Sequence, residues 1–465
     1  MAIKTFKLYP YRHVARVVIE AVTPFRIGSG DKDLTTDSSV LRDANGLPYI
    51  PGTTLAGVFR SYQDKEKSKG LYGFQSGTEG CGSRIIFSDA KLLDGDGNPV
   101  DCFKDISSDI FLKNFSNLPV RQHVCISHLG TSIDKGKFDK EIVYKGTRFA
   151  FEVEYLAEDE NENLLQDLLL SSKSESFRIG SSTRNGLGQF KLEKLFIRKI
   201  NLKKQDDLEA YLNKTSSLTN NTFWKDITDI SVNTCTDTKI WNTYNFYLNP
   251  VDFILFGSGK GDENGDADTT PVKENVIEWN NENKATIKET VIIPTSSIKG
   301  AIAHRVAFHY NKYEGKYCDE ITDFENYTGS NNHAVRKLFG SIQNADKEKE
   351  AQRGNVLFSD IYVVNCKWNN HLFNHVVIDN FSGGSINGGL FTEQAIYAEN
   401  FNPEDKEDYK INFSISVNSY AFDGDENVLK ALTETFNDLC NGMLPIGGST
   451  NKGHGLLQGK WEPKE

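Results

Sequence analysis

Two short runs of the sequence place an acidic residue directly before two hydroxyl residues. The runs are Asp37-Ser38-Ser39-Val40-Leu41-Arg42-Asp43 and Asp268-Thr269-Thr270-Pro271-Val272-Lys273-Glu274. A loop carboxylate of this kind can hold a hydrated Mg²⁺ or another divalent metal, since Mg²⁺ often takes only one or two protein carboxylates together with substrate phosphates. Such an ion neutralises the charge that develops when a phosphodiester is cleaved. Taken alone, Asp37 and Asp268 are equally typical of solvated or helix-capping residues.

The second run departs from the first in two ways. Pro271 stiffens the loop, and 25 positions separate Asp268 from Ile293 where 13 separate Asp37 from Ile50. We therefore predict a longer loop in the second half, whose other acids either serve in place of Asp268 or form a solvated acidic segment. The other acids of this loop are Asp262, Glu263 and Asp266.

Two glycine-rich loops, Gly180–Gly188 and Gly447–Gly455, are candidates for phosphate binding. Glycine lets the backbone approach a ligand closely, so that its N–H groups reach phosphate oxygens. The polar side chains in or beside these loops are Arg178, Ser182, Arg184, Ser449, Lys452 and His454. A flexible turn before a strand is the alternative interpretation. A nucleotide-binding P-loop is not indicated, because Gly259-Lys260 is followed by glycine rather than Ser or Thr.

Each half also has a hydroxyl-rich segment where a helix is predicted to begin. The residues are Thr53 and Thr54 in the first half and Ser296, Ser297 and Lys299 in the second. Hydroxyl side chains cap helices, and the free N–H groups of a helix N-terminus favour anions. We therefore predict capping here, with phosphate contact as an additional role. Arg60 and Arg305, on the same helices, either reach an RNA backbone or extend into water.

These features recur in the same order in both halves of the sequence. Phe25–Gly30 is matched by Ile254–Gly259, Ile50–Gly57 by Ile293–Gly300, and Ile179–Thr183 by Ile446–Thr450. Hydrophobic patterning predicts the order β-α-β-β-α-β in each half. That order is the ferredoxin-like or RRM-like split pattern, an α+β fold with two helices on one face of a sheet. We predict domains at residues 1–202 and 239–465, joined by a linker at 203–238 with one short helix.

Composition limits the classes of protein that fit. The chain has 465 residues, 38% of them hydrophobic and 25% charged, which suits two globular domains. A net charge of −11 counts against nonspecific coating of nucleic acid. Residues 1–200 carry 28 Lys and Arg against 26 Asp and Glu, so basic groups are available only locally. Seven scattered cysteines without a CxxC pair predict neither disulfides nor zinc, and the lack of a long apolar run predicts a cytoplasmic protein away from membranes.

The quoted motifs resemble a known family when they are taken in order. The segments are DSSVLRDANGLPYIPGTTLAGVFRSY, RIIFSDA and IGSSTRNGLGQF, then VIIPTSSIKGAIAHR, GNVLFSD and IGGSTNKGHG. They resemble the backbone (Cas-seven-type) subunits of type III CRISPR effector complexes, in the RAMP superfamily. The resemblance implies two fused RAMP domains that bind guide CRISPR RNA and target RNA. It implies as partners the large polymerase-like subunit, the small subunit and neighbouring backbone subunits.

The resemblance also implies a thumb hairpin in each domain, which interrupts guide–target pairing and exposes the target RNA to a loop aspartate. Asp37 lies where the family carries that aspartate, and Asp268 holds the same place in the second copy. Arg42 and Lys273 follow in the same runs and are expected to contact RNA. We predict the thumbs, with loop insertions around them, at 121–144 and 375–397. Phe138 and Phe391 on these thumbs either stack on bases or pack in a core.

Three functions fit these observations. The first is a metal-dependent endoribonuclease that cleaves guide-bound target RNA. The second is a scaffold of the same fold that binds guide RNA and cuts nothing. The third, processing of guide precursors, fits less well because the sequence singles out no histidine for that chemistry.

Overall fold

The structure, a computed structural model, describes residues 8–30, 38–77, 79–220, 223–224, 240–261, 265–320, 322–341, 351–363, 368–398 and 409–464. In the first half the strands are β1 (Tyr11–Ala21), β2 (Phe74–Ser76), β3 (Glu79–Cys81), β4 (Ile85–Phe87), β5 (Lys91–Leu92), β6 (Val120–Ile126), β7 (Ser132–Glu141), β8 (Arg148–Ala157) and β9 (Phe190–Asn201). The helices up to the start of the second half are α1 (Gly52–Ser61), α2 (Lys65–Tyr72), α3 (Ile110–Lys113), α4 (Leu164–Leu170) and α5 (Gln205–Leu212).

The second half repeats this order with additional strands. Its strands are β10 (Trp241–Pro250), β11 (Lys273–Trp279), β12 (Ala285–Ile293), β13 (Gly340–Ser341), β14 (Gln352–Arg353), β15 (Val356–Leu357), β16 (Ile361–Tyr362), β17 (Trp368–Ile378), β18 (Ser385–Ala398), β19 (Ile411–Asn418) and β20 (Leu457–Pro463). Its helices are α6 (Thr295–Tyr313), α7 (His333–Phe339) and α8 (Glu426–Cys440).

The two main sheets have the same topology. The first is antiparallel in the order β4-β8-β1-β9, and the second in the order β15-β19-β10-β20. Counted as the first to fourth strands of each unit, both sheets run 2-3-1-4, which is the ferredoxin-like arrangement that the sequence predicted. Hydrophobic patterning predicts one strand from Ile142 to Leu156. In the structure this segment is interrupted at Gly146 (φ 83°), and β8 begins only at Arg148.

Each sheet packs against its own helices through alternating residues. In β1, Ala15, Val17 and Ile19 are fully buried and pack in the first core with Leu55 and Phe59 of α1. The second core joins β10 and β19 to α6 and α8. Hydrophobic spacing in the sequence predicts a helix from Glu426 to Cys440, and α8 has these bounds, since its apolar residues recur at helical spacing over the whole segment.

A hairpin formed by β11 and β12 fills the stretch that the sequence predicted as a longer loop, so that prediction was wrong. Strand β11 (Lys273–Trp279) pairs with β12 (Ala285–Ile293) across a turn in which Asn283 has φ 60°. The hairpin reaches the first copy, where Ile277 is buried in the first core and Trp279 Nε1 donates to Gly146 O at 2.7 Å. The second copy therefore contributes to the packing of the first.

The described part of the predicted linker covers the face of the first sheet opposite α1 and α4. Arg16 Nη1 on β1 donates to Leu218 O at 2.8 Å, and Lys214 Nζ contacts Glu152 on β8 at 2.6 Å. Helix α5 adds a bond of 2.7 Å from Tyr211 Oη to Glu154. The face on which RRM-type domains stack bases is therefore occupied by the chain itself in the first copy. Over the ranges given above, no helix combines the length and the apolar composition needed to cross a membrane.

Candidate nucleic-acid interface

Each copy extends a two-stranded hairpin where a thumb was predicted, β6–β7 in the first copy and β17–β18 in the second. Phe138 lies across the ladder from His123, and the rings stack at 5.0 Å. Phe391 stacks on His375 in the same way at 4.7 Å. Burial lowers the pKa of His123 to about 4, with help from the positive charge of Lys140, so the first stack is uncharged at neutral pH. Sequence reasoning missed both histidine partners.

Asp268 is held against the second thumb. Its Oδ2 accepts hydrogen bonds from Thr392 N at 2.7 Å and Thr392 Oγ1 at 3.0 Å, and its own N–H donates to Thr392 O at 3.0 Å. The side chain is exposed, and its other oxygen has no hydrogen bond to a described residue. Asp266, two positions earlier, is also exposed. The predicted acids Asp37, Asp262 and Glu263 lie outside the described residues.

One exposed carboxylate with an open oxygen fits a hydrated Mg²⁺, which keeps most of its water shell and needs few protein ligands. It does not fit an ion that requires a full cage of side chains. Accordingly, the described ranges contain no group of three or more His, Cys, Asp or Glu residues arranged to hold a metal. Asp268 is thus suited to share an ion with substrate phosphates.

The two glycine-rich loops have the same backbone conformation. Ser182 and Ser449 take left-handed φ values of 58° and 56°. Ser181 N donates to Arg26 O at 2.8 Å, and Gly448 N donates to Leu255 O at 2.7 Å. Each loop is therefore held by a backbone hydrogen bond to the segment that follows the first strand of its own copy, beside the base of its thumb.

The side chains at the two thumb bases differ in charge. Lys140 of β7 donates to Ser182 Oγ at 2.9 Å, and Arg26 Nη1 donates to Ser181 Oγ at 3.2 Å. The equivalent residue of β18 is Glu393, which accepts from Ser449 Oγ at 2.5 Å. Sequence reasoning missed Arg26, Lys140 and Glu393. The signal was present, because Lys140 and Glu393 each lie two residues after the matched phenylalanines.

The predicted phosphate ligands of the second loop surround Glu393. Lys452 Nζ lies 3.6 Å from Glu393 Oε2, and His454 Nδ1 lies 3.6 Å from Glu393 Oε1. Lys452 also lies 4.8 Å above the ring of Phe391. Ser449, Lys452 and His454 therefore converge on one point, where they meet a carboxylate of the protein.

The predicted caps of α1 and α6 were wrong. The helices begin at Gly52 and Thr295, immediately after a proline, and neither has a side-chain bond from its N-cap residue. Instead, Asp89 Oδ1 accepts from Gly52 N and Asp360 Oδ1 accepts from Thr295 N, both at 2.9 Å. The residues predicted as caps are Thr53, Thr54, Ser296 and Ser297, which lie inside the first helical turn. A carboxylate from the Phe-Ser-Asp motif of each copy thus satisfies the helix start.

The first glycine-rich loop docks on the second copy through three predicted RNA-binding cations. Arg178 Nη2 donates to Ser359 Oγ at 3.3 Å, and Arg184 Nε donates to Gly354 O at 2.8 Å. Lys299 Nζ of α6 donates to Asn185 Oδ1 at 2.8 Å. These three cations, which we call the seam cations, have neutral hydrogen-bond partners in the described chain.

Burial shapes the electrostatics of the seam cations. It lowers the pKa values of Arg178 and Arg184 to about 10. Burial, together with the positive charge of Arg184, lowers the pKa of Lys299 to about 8. Positive charge is therefore concentrated between the copies, and none of the three seam cations forms an ion pair with a carboxylate in the described part of the chain, which favours an anionic ligand.

A second buried cation between the copies is fully compensated. Arg121, on β6, forms ion pairs with Glu274 of β11 and, at 2.5 Å, with Asp360. Burial lowers its pKa, but the two carboxylates outweigh burial and raise the pKa of Arg121 well above its ordinary value. This group of three side chains joins the first thumb, the hairpin of β11 and β12, and the start of α6.

The remaining predicted cations differ in availability. Arg42 contacts Glu141 at 2.7 Å, Lys273 contacts Glu289 at 3.2 Å, and Arg305 contacts Asp438 at 2.5 Å. Each of these three is paired with a carboxylate. Arg60 is exposed on α1, 6.0 Å from the ring of Tyr72, and forms no ion pair with a described residue.

Comparison with known proteins gives one match. The sequence matches the RAMP superfamily over residues 18–191 and again over residues 251–458. The two matched regions contain both thumbs and parts of both ferredoxin-like sheets, while β10 and most of β9 lie outside them. No curated protein matches the chain.

Proposed function

Because the chain belongs to the RAMP superfamily, and so is a CRISPR-associated RNA-binding subunit, we propose that it is a tandem backbone subunit of a type III effector complex. Its domains, residues 1–202 and 239–465, hold consecutive stretches of guide CRISPR RNA in the cytoplasm. Its partners are target RNA, the large polymerase-like subunit, the small subunit and neighbouring backbone subunits.

The observation that supports this proposal is the spatial repetition of the whole site. In each copy a hairpin with a stacked His-Phe pair rises beside a glycine-rich loop of fixed backbone and a helix whose start is capped by an aspartate. A repeat of this kind suits a ligand that is itself periodic, such as the backbone of an RNA strand. The uncompensated seam cations lie between the two copies, where a continuous strand passes from one to the other.

We propose further that the loops of Asp37 and Asp268 cleave target RNA. Asp268 is positioned on the second thumb by Thr392, so its carboxylate moves with the hairpin that separates guide from target. Asp268, and Asp37 in the first copy, would hold a divalent metal, and Mg²⁺ there supplies neutralisation of charge at the reacting phosphate. The carboxylate contributes to the transition state more than to RNA binding.

A non-catalytic scaffold is the second candidate. It is favoured by the tie between Asp268 and Thr392, which also gives the carboxylate a purely structural role in anchoring the acidic loop to β18. In that case the two copies bind guide RNA and present target RNA to another subunit.

A cleavage assay separates the two candidates. The protein, expressed with its operon, is expected to copurify with short RNAs that share a repeat-derived end. With labelled target RNA and Mg²⁺, Asp37→Ala should lower the rate of cleavage at one position by about a hundredfold or more. Asp268→Ala should do the same at a neighbouring position. Both variants should still bind RNA. EDTA should reproduce the double variant.

Asp266→Ala is the matched control, because it removes an exposed acid of the same loop that does not contact the thumb. If its products change and those of Asp268→Ala do not, Asp266 is the acting acid. Unchanged products from both single variants and the double variant, in a complex that still binds target, assign the scaffold function.

A further inference from the structure

The base of the first thumb contains two cations, Arg26 and Lys140, whose hydrogen-bond partners among the described residues include serine hydroxyl groups. Arg26 is only 8% exposed, and its guanidinium contacts Ser181 Oγ at 3.2 Å. Its Nε has no hydrogen-bond partner in the described chain. Lys140 Nζ contacts Ser182 Oγ at 2.9 Å and lies 4.9 Å from the ring of Phe138. Neither cation forms an ion pair with a described carboxylate.

The positive charges of Arg26 and Lys140 repel each other. Burial lowers the pKa of Lys140, and the charge of Arg26 lowers it further. Burial likewise lowers the pKa of Arg26, against the opposing effect of Glu141, whose carboxylate is bound to Arg42. An anion between Arg26 and Lys140 would relieve both effects, because it compensates two partly desolvated charges at once.

The second thumb base has the same frame with an anion of its own. Glu393, 5% exposed, takes the position of Lys140, and Leu255 takes that of Arg26. The Glu393 carboxylate accepts from Ser449 Oγ and lies within 3.3–3.6 Å of His375 Nε2, Lys452 Nζ and His454 Nδ1. The carboxylate thus lies among a hydroxyl, an ammonium and two imidazoles, which are groups that bind phosphate oxygens elsewhere.

Loop conformation does not explain the difference between the two bases. The serines that contact Lys140 and Glu393 have φ values of 58° and 56°, and the following glycines Gly186 and Gly453 have 92° and 93°. The loops present the same backbone to opposite charges. The charge of the thumb residue, positive at Lys140 and negative at Glu393, therefore decides which ligand each thumb base can bind.

We propose that the first thumb base binds a phosphate group of the RNA strand, and that Glu393 fills the equivalent site of the second copy and excludes phosphate from it. A phosphate that approached Glu393 would meet a buried carboxylate that already uses the local donors. The two copies therefore hold RNA unequally, with a phosphate anchor in the first and none at this point in the second. This inference rests on the proposed function in one respect, the identity of the ligand as RNA.

The test counts phosphate contacts through the salt dependence of binding. The purified full chain is titrated with a fluorescent single-stranded RNA of fixed length between 50 and 200 mM salt. Log affinity falls as log salt rises, and each phosphate contact adds about 0.7 to the magnitude of this negative slope for a single strand, so slopes are compared below by magnitude. Lys140→Gln should reduce the slope by about 0.7. Glu393→Gln should increase the slope by about 0.7, since Lys452 becomes available to phosphate.

Controls of matched charge lie on α8, away from both thumbs. Lys430→Gln and Glu426→Gln make the same charge changes at exposed positions of one ion pair. They should leave the slope within error of the wild type. Glu393→Gln leaves the first copy intact, so it provides an independent arm if Lys140→Gln does not fold.

The outcomes are distinct. RNA binding with a slope unchanged by Lys140→Gln and Glu393→Gln overturns the phosphate anchor but leaves the proposed function standing. A reduced slope for Lys140→Gln and an unchanged slope for Glu393→Gln overturns the claim that Glu393 occupies a phosphate site. A wild-type chain that binds no single-stranded RNA removes the proposed function and this inference together.

Discussion

The first and second copies differ in charge where their backbones agree. Both thumbs lie beside a glycine-rich loop whose serine has a left-handed φ, and both carry a stacked His-Phe pair. In the first copy the loop serine meets Lys140, and in the second it meets Glu393. Across the ladder from these residues lie Arg121 in the first thumb and Phe373 in the second.

This difference teaches that geometry and charge are separable in the repeat. The loop backbone is fixed by close approach to the adjacent strand segment, and a Cβ on Gly180 or Gly447 would overlap the carbonyl oxygen of Arg26 or Leu255. Side chains at the thumb base are not constrained in that way. The frame can therefore be shared by two sites of different ligand preference.

The largest expected effect concerns the residue across from the charge reversal. Arg121→Met leaves the carboxylates of Glu274 and Asp360 buried without their cation, which should lower the free energy of unfolding by about 3–5 kcal/mol. Phe373→Met, at the equivalent position, removes ring contacts and some volume but leaves no buried charge unpaired, and should cost less, about 1–2 kcal/mol. Urea denaturation measures both. Equal losses in the free energy of unfolding would show that the ion pairs of Arg121 do not stabilise the contact between the copies.

A matched pair of glycines tests how the first loop docks. Gly186 and Gly453 have φ values of 92° and 93°, so alanine strains the backbone equally at both. A Cβ at Gly186 would lie 2.6 Å from Thr295 Cβ of α6, whereas one at Gly453 meets nothing within 4 Å. Gly186→Ala should therefore be more destabilising by about 1–3 kcal/mol, measured by chemical denaturation. Identical midpoints would contradict docking of the first loop on α6.

The smallest effect concerns Lys299, whose equivalent in the first copy is Ala56. Its pKa in the folded protein is about 8 against an ordinary 10.5, so the unfolded chain binds this proton more tightly. The free energy of unfolding should therefore rise with pH between about 8 and 10.5. RNA affinity should fall by a few-fold over the lower part of that window, because phosphate favours the charged amine.

Lys299→Arg is the control for this prediction, since arginine stays charged throughout the window. Fluorescence titration at pH 7 to 9 measures affinity, and thermal melts measure stability. Affinity that is independent of pH in the wild type would place the RNA away from the seam cations.

The fold could be predicted from the sequence because its elements are local and periodic. The apolar residues of α8 recur at helical spacing, and β1, at the centre of the first sheet, carries a β-branched run. The repetition of motifs then fixed the equivalence of the two halves. The hairpin of β11 and β12 was missed, although its alternation and its Asn-rich turn at Asn280–Asn283 were visible in the sequence.

The site was only partly predictable, because its contacts join distant positions. The glycine-rich loop that contains Ser449, Lys452 and His454 was predicted to bind phosphate, but Glu393, which these side chains surround, lies 56 residues before Ser449. Arg26 and Ser181 are 155 positions apart. The aspartates that cap α1 and α6 lie later in the chain, in the short connections after β4 and β15, which is why Thr53 and Ser297 were predicted as caps in their place. Pairings of this kind depend on the folded topology.

The hairpin of β11 and β12 has a consequence for the order in which the protein is made. Ile277 belongs to the core of the first copy, and Trp279 and Ile287 pack against that core. The ribosome therefore finishes the first domain's sequence long before the residues that complete its packing emerge. Until about residue 293 is free, the first domain exposes an apolar groove. A separated first domain ending at residue 202 would keep that groove open permanently.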